Sequence, residues 1–170
     1  RWVKALNNLY NANDALYAND SDVMGFEWID CDHPDKGVVS FIRRGSTPSK
    51  QLLFICNFVP VEYDNYEVGA PCFTTYKEVL NSDDVQFGGA GRLNSGKIKA
   101  IDKKTERMPY SISVTVPPLS TVVLEYDYTD VTPEDILKKK EAEKKAAAAK
   151  RAAAKKTTAK KTATEKKNVE

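Results

Sequence analysis

With 170 residues, of which 41% are hydrophobic, the chain can form one folded domain with a sizeable core and an appendage. Its net charge of +2 conceals an asymmetry, because residues 133–170 carry 13 basic and 6 acidic side chains whereas the first 132 residues sum to −5. Three cysteines without a Cys-x-x-Cys spacing exclude a disulfide framework and a zinc site, and no apolar run reaches the ~20 residues of a membrane span. We therefore expect reduced thiols and a cytoplasmic protein with a folded body and a separate basic segment.

The first predicted element is a helix within residues 1–17. One face of it carries apolar residues at helical spacing, namely Trp2, Leu6, Leu9 and Tyr10. This face is rich in aromatic residues for so short a helix, so we expect it to pack on something large. Because the chain starts in this helical pattern and without a methionine, we also expect it to be a fragment of a longer protein.

A series of short strands is predicted next. Short apolar or alternating runs, each bounded by turn residues, lie at 24–30, 38–44, 52–56, 63–68, 74–80, 97–101, 110–116 and 120–126. Turn residues 31–37 join the first two runs as a hairpin, and Leu52–Cys56 is the most apolar run of the chain. Seven or eight strands with turns every ~8–12 residues are typical of a sandwich or barrel. The predicted fold class is an all-β sandwich.

The basic segment begins with a helix signal. Thr132 is a candidate N-cap, Pro133 occupies the first helical position, and Asp135 follows three residues after the cap. Glu–Lys pairs and an alanine run favour helix, but no apolar stripe continues beyond Leu137. We predict a solvated helix to about Lys156 and then disorder. The segment is either a low-complexity extension or a weak, non-specific binder of nucleic acid or another anionic polymer.

Residue types that often carry catalysis occur here without a supporting pattern. His33 is the single histidine and has no partner histidine, serine or cysteine at a recognisable spacing. Asp30, Asp32 and Asp35 do not match a calcium loop and suit a hairpin turn. The Gly88–Gly91 run lacks the ending of a phosphate loop and suits a tight turn with positive φ. We predict no catalytic residue, no metal site and no cofactor.

Three aromatic residues are the candidates for binding a sugar. Trp28, Tyr76 and Phe87 could together form a stacking surface. The alternative is that they belong to the core, where most aromatic residues of a β-sandwich lie. Both interpretations stay open at the level of the sequence.

A family resemblance rests on nine short motifs in order. They are Arg1-Trp2-Val3 with Leu6-Asn7-x-Leu9-Tyr10, Ala15-Leu16-Tyr17, Gly25-Phe26-Glu27-Trp28-Ile29-Asp30, Phe41-Ile42-Arg43-Arg44, Cys56-Asn57-Phe58-x-Pro60-Val61, Tyr66-x-Val68-Gly69-x-Pro71, Tyr76-x-Glu78-Val79-Leu80-Asn81-Ser82-Asp83, Phe87-Gly88-Gly89-x-Gly91 and Pro117-Pro118-Leu119-Ser120. On these motifs the chain resembles the C-terminal portion of bacterial-type 1,4-alpha-glucan (glycogen) branching enzymes of the alpha-amylase superfamily. The resemblance runs from Arg1 to about Tyr126 and excludes the basic segment; Asn13 stands where the family usually has proline.

The resemblance implies a domain organisation. Residues 1–20 would contain the last helix of a missing (β/α)₈ barrel, residues 24–128 the C-terminal β-sandwich, and residues 132–170 a Lys/Ala-rich tail. In such enzymes the catalytic carboxylates lie on the barrel, so this chain would carry none of them. The missing barrel would be its main, intramolecular partner, and the aromatic face of the first helix would pack on it.

The resemblance also implies a function. The parent enzyme would transfer a 1,4-alpha-glucan segment to a 6-hydroxyl group and so form alpha-1,6 branches in glycogen biosynthesis. This part of it would be structural and inactive alone, with alpha-glucan or glycogen as a further partner and no contact with a membrane. Three alternatives remain: a carbohydrate-binding module, the corresponding domain of a debranching-type relative, and an anionic-polymer binder acting through the tail.

Overall fold

A computed structural model describes residues 1–47 and 50–147 of the chain. The chain divides into two compact units, Arg1–Asp130 and Val131–Glu170. The first unit contains one α-helix, α1 (Trp2–Ala12), and eight β-strands, which agrees with the predicted number. The strands are β1 (Phe26–Asp30), β2 (Val38–Arg44), β3 (Lys50–Asn57), β4 (Tyr63–Ala70), β5 (Thr75–Asn81), β6 (Lys97–Lys99), β7 (Tyr110–Val116) and β8 (Thr121–Asp127).

The strands form two antiparallel sheets with a core between them. Six strands pair in the order β1-β2-β3-β8-β5-β6, and β4 pairs with β7. The core is formed by buried residues from both sheets, among them Leu53, Val68, Ile112 and Leu124. Because side chains alternate across a strand, every second residue of β2, β3, β7 and β8 enters this core. The predicted all-β sandwich is confirmed.

The central strand β3 is apolar on both of its faces. Leu53 and Ile55 point into the core, whereas Leu52 and Phe54 lie on the outer face of the six-stranded sheet. A second cluster covers that outer face, where Ala15, Leu52, Leu80 and Val123 are buried and part of α1 packs against them. This two-sided burial explains why Leu52–Cys56 is a continuous apolar run and not an alternating one.

Helix α1 covers the sheet with only part of its apolar face. Trp2 and Leu9 pack against the outer cluster, and the ring of Trp2 meets that of Phe87 edge-on at 4.9 Å. Leu6 and Tyr10 from the same predicted stripe remain 37% and 48% exposed, and no residue of α1 is buried. Half of the predicted stripe therefore packs on the sheet, and the other half is exposed to solvent in this chain.

The glycine-rich segment after β5 is a tight loop, as predicted. Gly88 has φ of 93°, the left-handed conformation that glycine adopts without steric cost. At Gly89 a Cβ atom would come within 2.1 Å of the carbonyl oxygen of Asp83, so no side chain fits there. The carboxylate of Asp83 accepts hydrogen bonds from the amides of Ala90 (3.2 Å) and Arg92 (2.9 Å). The carboxylate of Asp83 thus holds the loop through the loop's own backbone amides.

The second unit is described up to residue 147 and is helical over residues 133–147. The hydroxyl of Thr132 accepts a hydrogen bond from the amide of Asp135 (3.2 Å), and the carboxylate of Asp135 accepts one from the amide of Thr132 (3.1 Å). This reciprocal pair confirms the predicted helix start. The hydroxyl of Thr132 also donates a hydrogen bond to the carboxylate of Asp135 (2.8 Å), and this bond, with the one from the Thr132 amide, holds the pKa of Asp135 below its ordinary value. The predicted helix end near Lys156 and the disorder after it lie outside the described residues.

Candidate functional site

An aromatic row crosses the outer face of the sheet on β1, β2 and β3. Trp28 lies opposite Phe41 in the strand register, and Phe41 lies opposite Phe54. The rings of Phe41 and Phe54 stack at 4.9 Å with an interplanar angle of 4°, and Trp28 meets Phe41 edge-on at 5.7 Å. Phe26 stacks on Phe41 at 5.2 Å and contacts Trp28 at 4.9 Å. These contacts fix the orientation of the Trp28 indole from two sides.

Trp28 retains an accessible ring at the end of this row. It is 42% exposed, the largest exposure among the three predicted sugar-binding aromatic residues. An indole held rigidly by neighbouring rings loses little conformational entropy when a flat apolar sugar face stacks on it. The geometry of Trp28 therefore suits sugar stacking.

Tyr76 lies in the core and not on a surface where a sugar could stack. Its ring is 0% exposed and packs on that of Tyr126 at 4.8 Å inside the core. Its hydroxyl donates a hydrogen bond to the carbonyl oxygen of Cys72 (3.0 Å), and burial raises the pKa of the phenol. Tyr76 presents no ring face to a sugar, which corrects its predicted place in the stacking surface.

Phe87 is partly exposed but lies far from Trp28. It follows β5, which is four interstrand steps from β1, or roughly 19 Å. Its ring packs against Trp2 of α1. The structure therefore does not bring Trp28, Tyr76 and Phe87 together into one surface.

Two turns project apolar side chains outward from the same side of the unit. The side-chain amide of Asn57 donates hydrogen bonds to the carbonyl oxygens of Val61 (2.7 Å) and Pro117 (2.8 Å), and so ties the turn after β3 to the turn before β8. Phe58 and Leu119, at the tips of these turns, are each 67% exposed. Leu119 also has φ of 48°, which is uncommon for a residue with a large side chain.

A cavity of about 310 Å³ joins these two turns to α1, since it is lined by Trp2, Phe58 and Leu119. We call Val3, Leu6 and Tyr10 together with Phe58 and Leu119 the open apolar surface. The family resemblance implies that the apolar face of α1 packs on a missing barrel, whereas the exposure of Phe58 and Leu119 was not predicted. The available signal was a leucine and a phenylalanine placed in proline-containing turns, where a core residue is unusual.

A second cavity, of about 240 Å³, is polar and lies beside the β1–β2 hairpin. Its lining includes Asp30 and His33 from that hairpin, Tyr66 from β4 and Arg107 from the segment between β6 and β7. The Nδ1 atom of His33 lies 2.8 Å from Oδ1 of Asp30. The guanidinium group of Arg107 pairs with Asp32, and Lys103 pairs with Glu67. These ion pairs tie the wall from residues 103–107 to the hairpin and to β4.

The hydrogen bond that His33 donates to Asp30 raises the pKa of His33 above 6.5, and the negative charge of Asp30 adds to this effect. Folding therefore favours the imidazolium form. Its contribution to stability is fully present below pH 6.5, the unfolded value, and is lost as the pH rises through the higher folded pKa.

We expect an NMR titration of the His33 ring protons to give a pKa above 6.5. In Asp30→Asn the pKa should fall towards 6.5, because the amide cannot supply the charge that stabilises the imidazolium. Asp84→Asn, which changes a carboxylate outside this cavity, serves as the control and should leave the titration curve unchanged. An unchanged His33 pKa in Asp30→Asn would refute the assigned cause.

The thiol groups offer no activated nucleophile. All three cysteines are free, and desolvation raises the pKa of each of them. At Cys31 the hydrogen bond to Asp32 and the charge of that carboxylate raise the pKa further. A thiol with a raised pKa is mostly protonated at neutral pH and is a poor nucleophile.

The described residues contain no metal-binding arrangement, in that no three histidine, cysteine or acidic side chains lie close enough to hold an ion. Within residues 1–47 and 50–147, no helix has the length and apolar character needed to cross a bilayer. The basic segment predicted to contact anionic polymers falls largely on residues 148–170, outside the described residues.

Comparison with known protein families gives a match to the alpha amylase C-terminal all-beta domain over residues 28–127. These bounds enclose β1 to β8 almost completely and leave out α1 and the basic segment.

Individual relatives are similar over a longer stretch. The chain is 45% identical over 125 residues to the 1,4-alpha-glucan branching enzyme GlgB of Clostridium perfringens, a match that covers 73% of this chain and 19% of the relative. It is 44% identical over 126 residues to a GlgB of Synechococcus sp., with 74% of this chain and 16% of the relative covered. A GlgB of Francisella tularensis is 40% identical over 124 residues. The chain spans about a fifth of the length of the curated relatives it matches.

Proposed function

The chain belongs to the family of alpha-amylase C-terminal all-beta domains, and from that membership we propose that it serves as this domain of a 1,4-alpha-glucan branching enzyme. Its role there is structural: it packs on the catalytic barrel and stabilises it. The parent enzyme transfers a 1,4-alpha-glucan segment to a 6-hydroxyl group and creates an alpha-1,6 branch. The similarity to three GlgB proteins supports this assignment over a debranching-type relative.

The observation that carries the proposal is the open apolar surface. A helix normally buries its apolar stripe, yet Leu6 and Tyr10 of α1 face outward, and Val3 is 67% exposed. Phe58 and Leu119 add exposed apolar side chains on two turns that a single asparagine holds in place, and a cavity joins these turns to Trp2 of α1. Exposed apolar surface of this kind marks an interaction site, and the barrel implied by the family resemblance is the partner that fits it.

We also propose that the retaining pair of carboxylates of the parent enzyme lies on its barrel and that the residues described in this chain have a supporting role. Such chemistry needs one carboxylate as nucleophile and a second as acid and base across the sugar. Asp83 and Glu78 instead accept hydrogen bonds from the loop that follows β5. These two carboxylates therefore hold the fold of this loop, which supports the structural role.

The purified chain should form no branches when incubated with amylose. Iodine staining and debranching followed by chain-length analysis would measure this, with a GlgB enzyme as the positive control. Formation of alpha-1,6 linkages by the chain alone would overturn the structural role.

A second role is supported by the exposed ring of Trp28, which we propose contacts the glucan. An aromatic stack contributes about 0.5–1.5 kcal/mol, so Trp28→Ala should weaken retardation in an amylopectin affinity gel by about two- to tenfold. Phe58→Ala removes a more exposed ring elsewhere and should leave the retardation unchanged. Equal retardation of the Trp28 variant and the unmodified chain would exclude this contact.

We further propose a cytoplasmic location, which the three free thiols support, since oxidising compartments favour disulfides.

A further inference from the structure

The polar cavity beside the β1–β2 hairpin has no part in the roles proposed above. Its walls come from three separate parts of the chain: Asp30 to Ser40, Tyr66 to Gly69, and Thr105 to Arg107. At about 240 Å³ it is smaller than the ~300–1,000 Å³ typical of sites for drug-sized ligands. Only a small ligand, or the end of a longer one, can enter it.

The charges that line the cavity nearly cancel. Three acidic residues (Asp30, Glu67 and Glu106) face two basic residues (Lys36 and Arg107), so the formal sum is −1 with His33 neutral and zero with it protonated. Two of these groups already pair outside the set, Arg107 with Asp32 and Glu67 with Lys103. A mixed, nearly neutral lining favours neither an anion nor a cation, and it suits a neutral ligand that both donates and accepts hydrogen bonds.

Open hydrogen-bonding groups remain in the cavity. Among the residues that the structure describes, Asp30 uses only Oδ1, which accepts bonds from the amide of Asp32 (3.2 Å) and from His33 (2.8 Å). The hydroxyl of Tyr66 has no hydrogen-bond partner within the described ranges, and burial together with the charge of Asp30 raises its pKa to about 12. It is therefore a neutral donor at physiological pH, in a cavity that Asp30 also lines.

The ring of Tyr66 adds an apolar surface to these polar groups. It packs against Tyr63 at 5.3 Å, and Nζ of Lys36 lies 5.9 Å from its centroid. An aromatic ring beside a carboxylate and several N–H donors is the combination that binds a sugar, whose hydroxyl groups point sideways and whose C–H groups form a flat face.

The cavity is separate from Trp28. Ile29 belongs to the core and lines the cavity, whereas Trp28 lies on the outer face of the sheet with Phe41 and Phe54. Neighbouring residues of a strand point to opposite faces. A glucan bound at Trp28 would therefore not occupy the cavity.

We propose that this cavity is a second carbohydrate site, which binds the terminal glucose unit of an alpha-glucan chain. Asp30 and Tyr66 hydrogen-bond the sugar hydroxyl groups, with the Tyr66 ring against its apolar face. The identity of the sugar rests on the proposed function, whereas the preference for a neutral polyhydroxylated ligand rests on the lining alone.

The composition of the chain makes a direct experiment possible. It has one histidine, at the cavity, and two tryptophans, Trp2 on α1 and Trp28 on the outer face. Titration of the full chain with maltoheptaose at constant pH, followed by NMR, should shift the His33 ring protons in a saturable way. The Trp28 indole signal reports independently on the outer face, and that of Trp2 on α1.

Two variants test the assignment without removing a core residue. Asp30→Asn and Tyr66→Phe should each lower the affinity measured at His33 by about tenfold, because the first replaces a charged acceptor by a neutral amide and the second removes the hydroxyl donor. Trp28→Ala should leave the His33 saturation curve unchanged. The amide spectrum of each variant shows whether the fold is retained.

A His33 signal that stays unmoved up to millimolar maltoheptaose would overturn the second site, whether or not Trp28 shifts. A His33 shift with unchanged affinity in both Asp30→Asn and Tyr66→Phe would overturn it as well. The branching role is tested separately in a joined enzyme, the GlgB of Clostridium perfringens with its matching segment replaced by this chain. Loss of the cavity site would leave that role intact. If the branching role fails, a saturable shift of the His33 signals would still show that the cavity binds an oligosaccharide.

Discussion

Leu53→Ala should lower the free energy of unfolding by about 2–5 kcal/mol, as is typical for removing a buried leucine. Leu53 is 0% exposed on the central strand β3, opposite Ile42 on β2 and Leu124 on β8. All three side chains belong to the core between the two sheets, which cannot collapse around the lost atoms without moving a strand. Urea or guanidinium unfolding followed by tryptophan fluorescence would measure the loss.

The matched control is Leu137→Ala, the same substitution on the helix of residues 133–147. Leu137 is 60% exposed, and alanine favours helix at least as well as leucine, so we expect a change within about 0.5 kcal/mol. Similar unfolding midpoints for the two variants would contradict the assignment of the core.

Phe58→Asp should leave the stability of the isolated chain nearly unchanged and strongly lower that of a joined enzyme. The joined enzyme is the GlgB of Clostridium perfringens with its matching segment replaced by this chain. In the isolated chain Phe58 is 67% exposed, so its replacement should change stability by no more than about 0.5 kcal/mol. Against the barrel the carboxylate would be buried without a partner, which costs about 3–5 kcal/mol. Thermal unfolding of both proteins would measure the contrast.

The control for this contrast is Ile101→Asp. Ile101 is 44% exposed and bridges to Ser111 of β7, in the sheet that does not carry α1. Its replacement should have the same effect in both proteins. If Phe58→Asp likewise changes both proteins equally, the open apolar surface faces solvent in the enzyme, and the proposed packing on the barrel fails.

The strands were predictable because they are short, bounded by turn residues and regular in their alternation. The eight predicted runs correspond to the eight observed strands, and the match over residues 28–127 confirms the family resemblance drawn from the nine motifs. The start of the second helix was predictable from Thr132 and Asp135, since capping depends only on local sequence.

For Tyr76 the sequence left a sugar-stacking position and a core position open, and the structure places it in the core. Its neighbours Thr75 and Lys77 are polar, so the period-two alternation of a strand favours an inward position for Tyr76. The exposure of Trp28 could not be read in the same way, because β1 is an edge strand with aromatic residues on one face and core residues on the other.

The polar cavity could not be predicted from the sequence. Asp30 and Tyr66 are 36 positions apart, and Arg107 is 41 positions beyond Tyr66. No local motif joins them, because β1 meets β4 only when the two sheets pack. The division of the α1 stripe was also hidden, since helical spacing defines one apolar face but not how much of it a neighbouring element covers.

Branching activity of the joined enzyme tests the structural role most directly. Iodine staining of amylose should show activity close to that of the unmodified Clostridium perfringens enzyme, while this chain alone gives none. A joined enzyme that folds, as judged by a cooperative thermal transition, but forms no alpha-1,6 linkages would contradict the assignment of this chain to a branching enzyme.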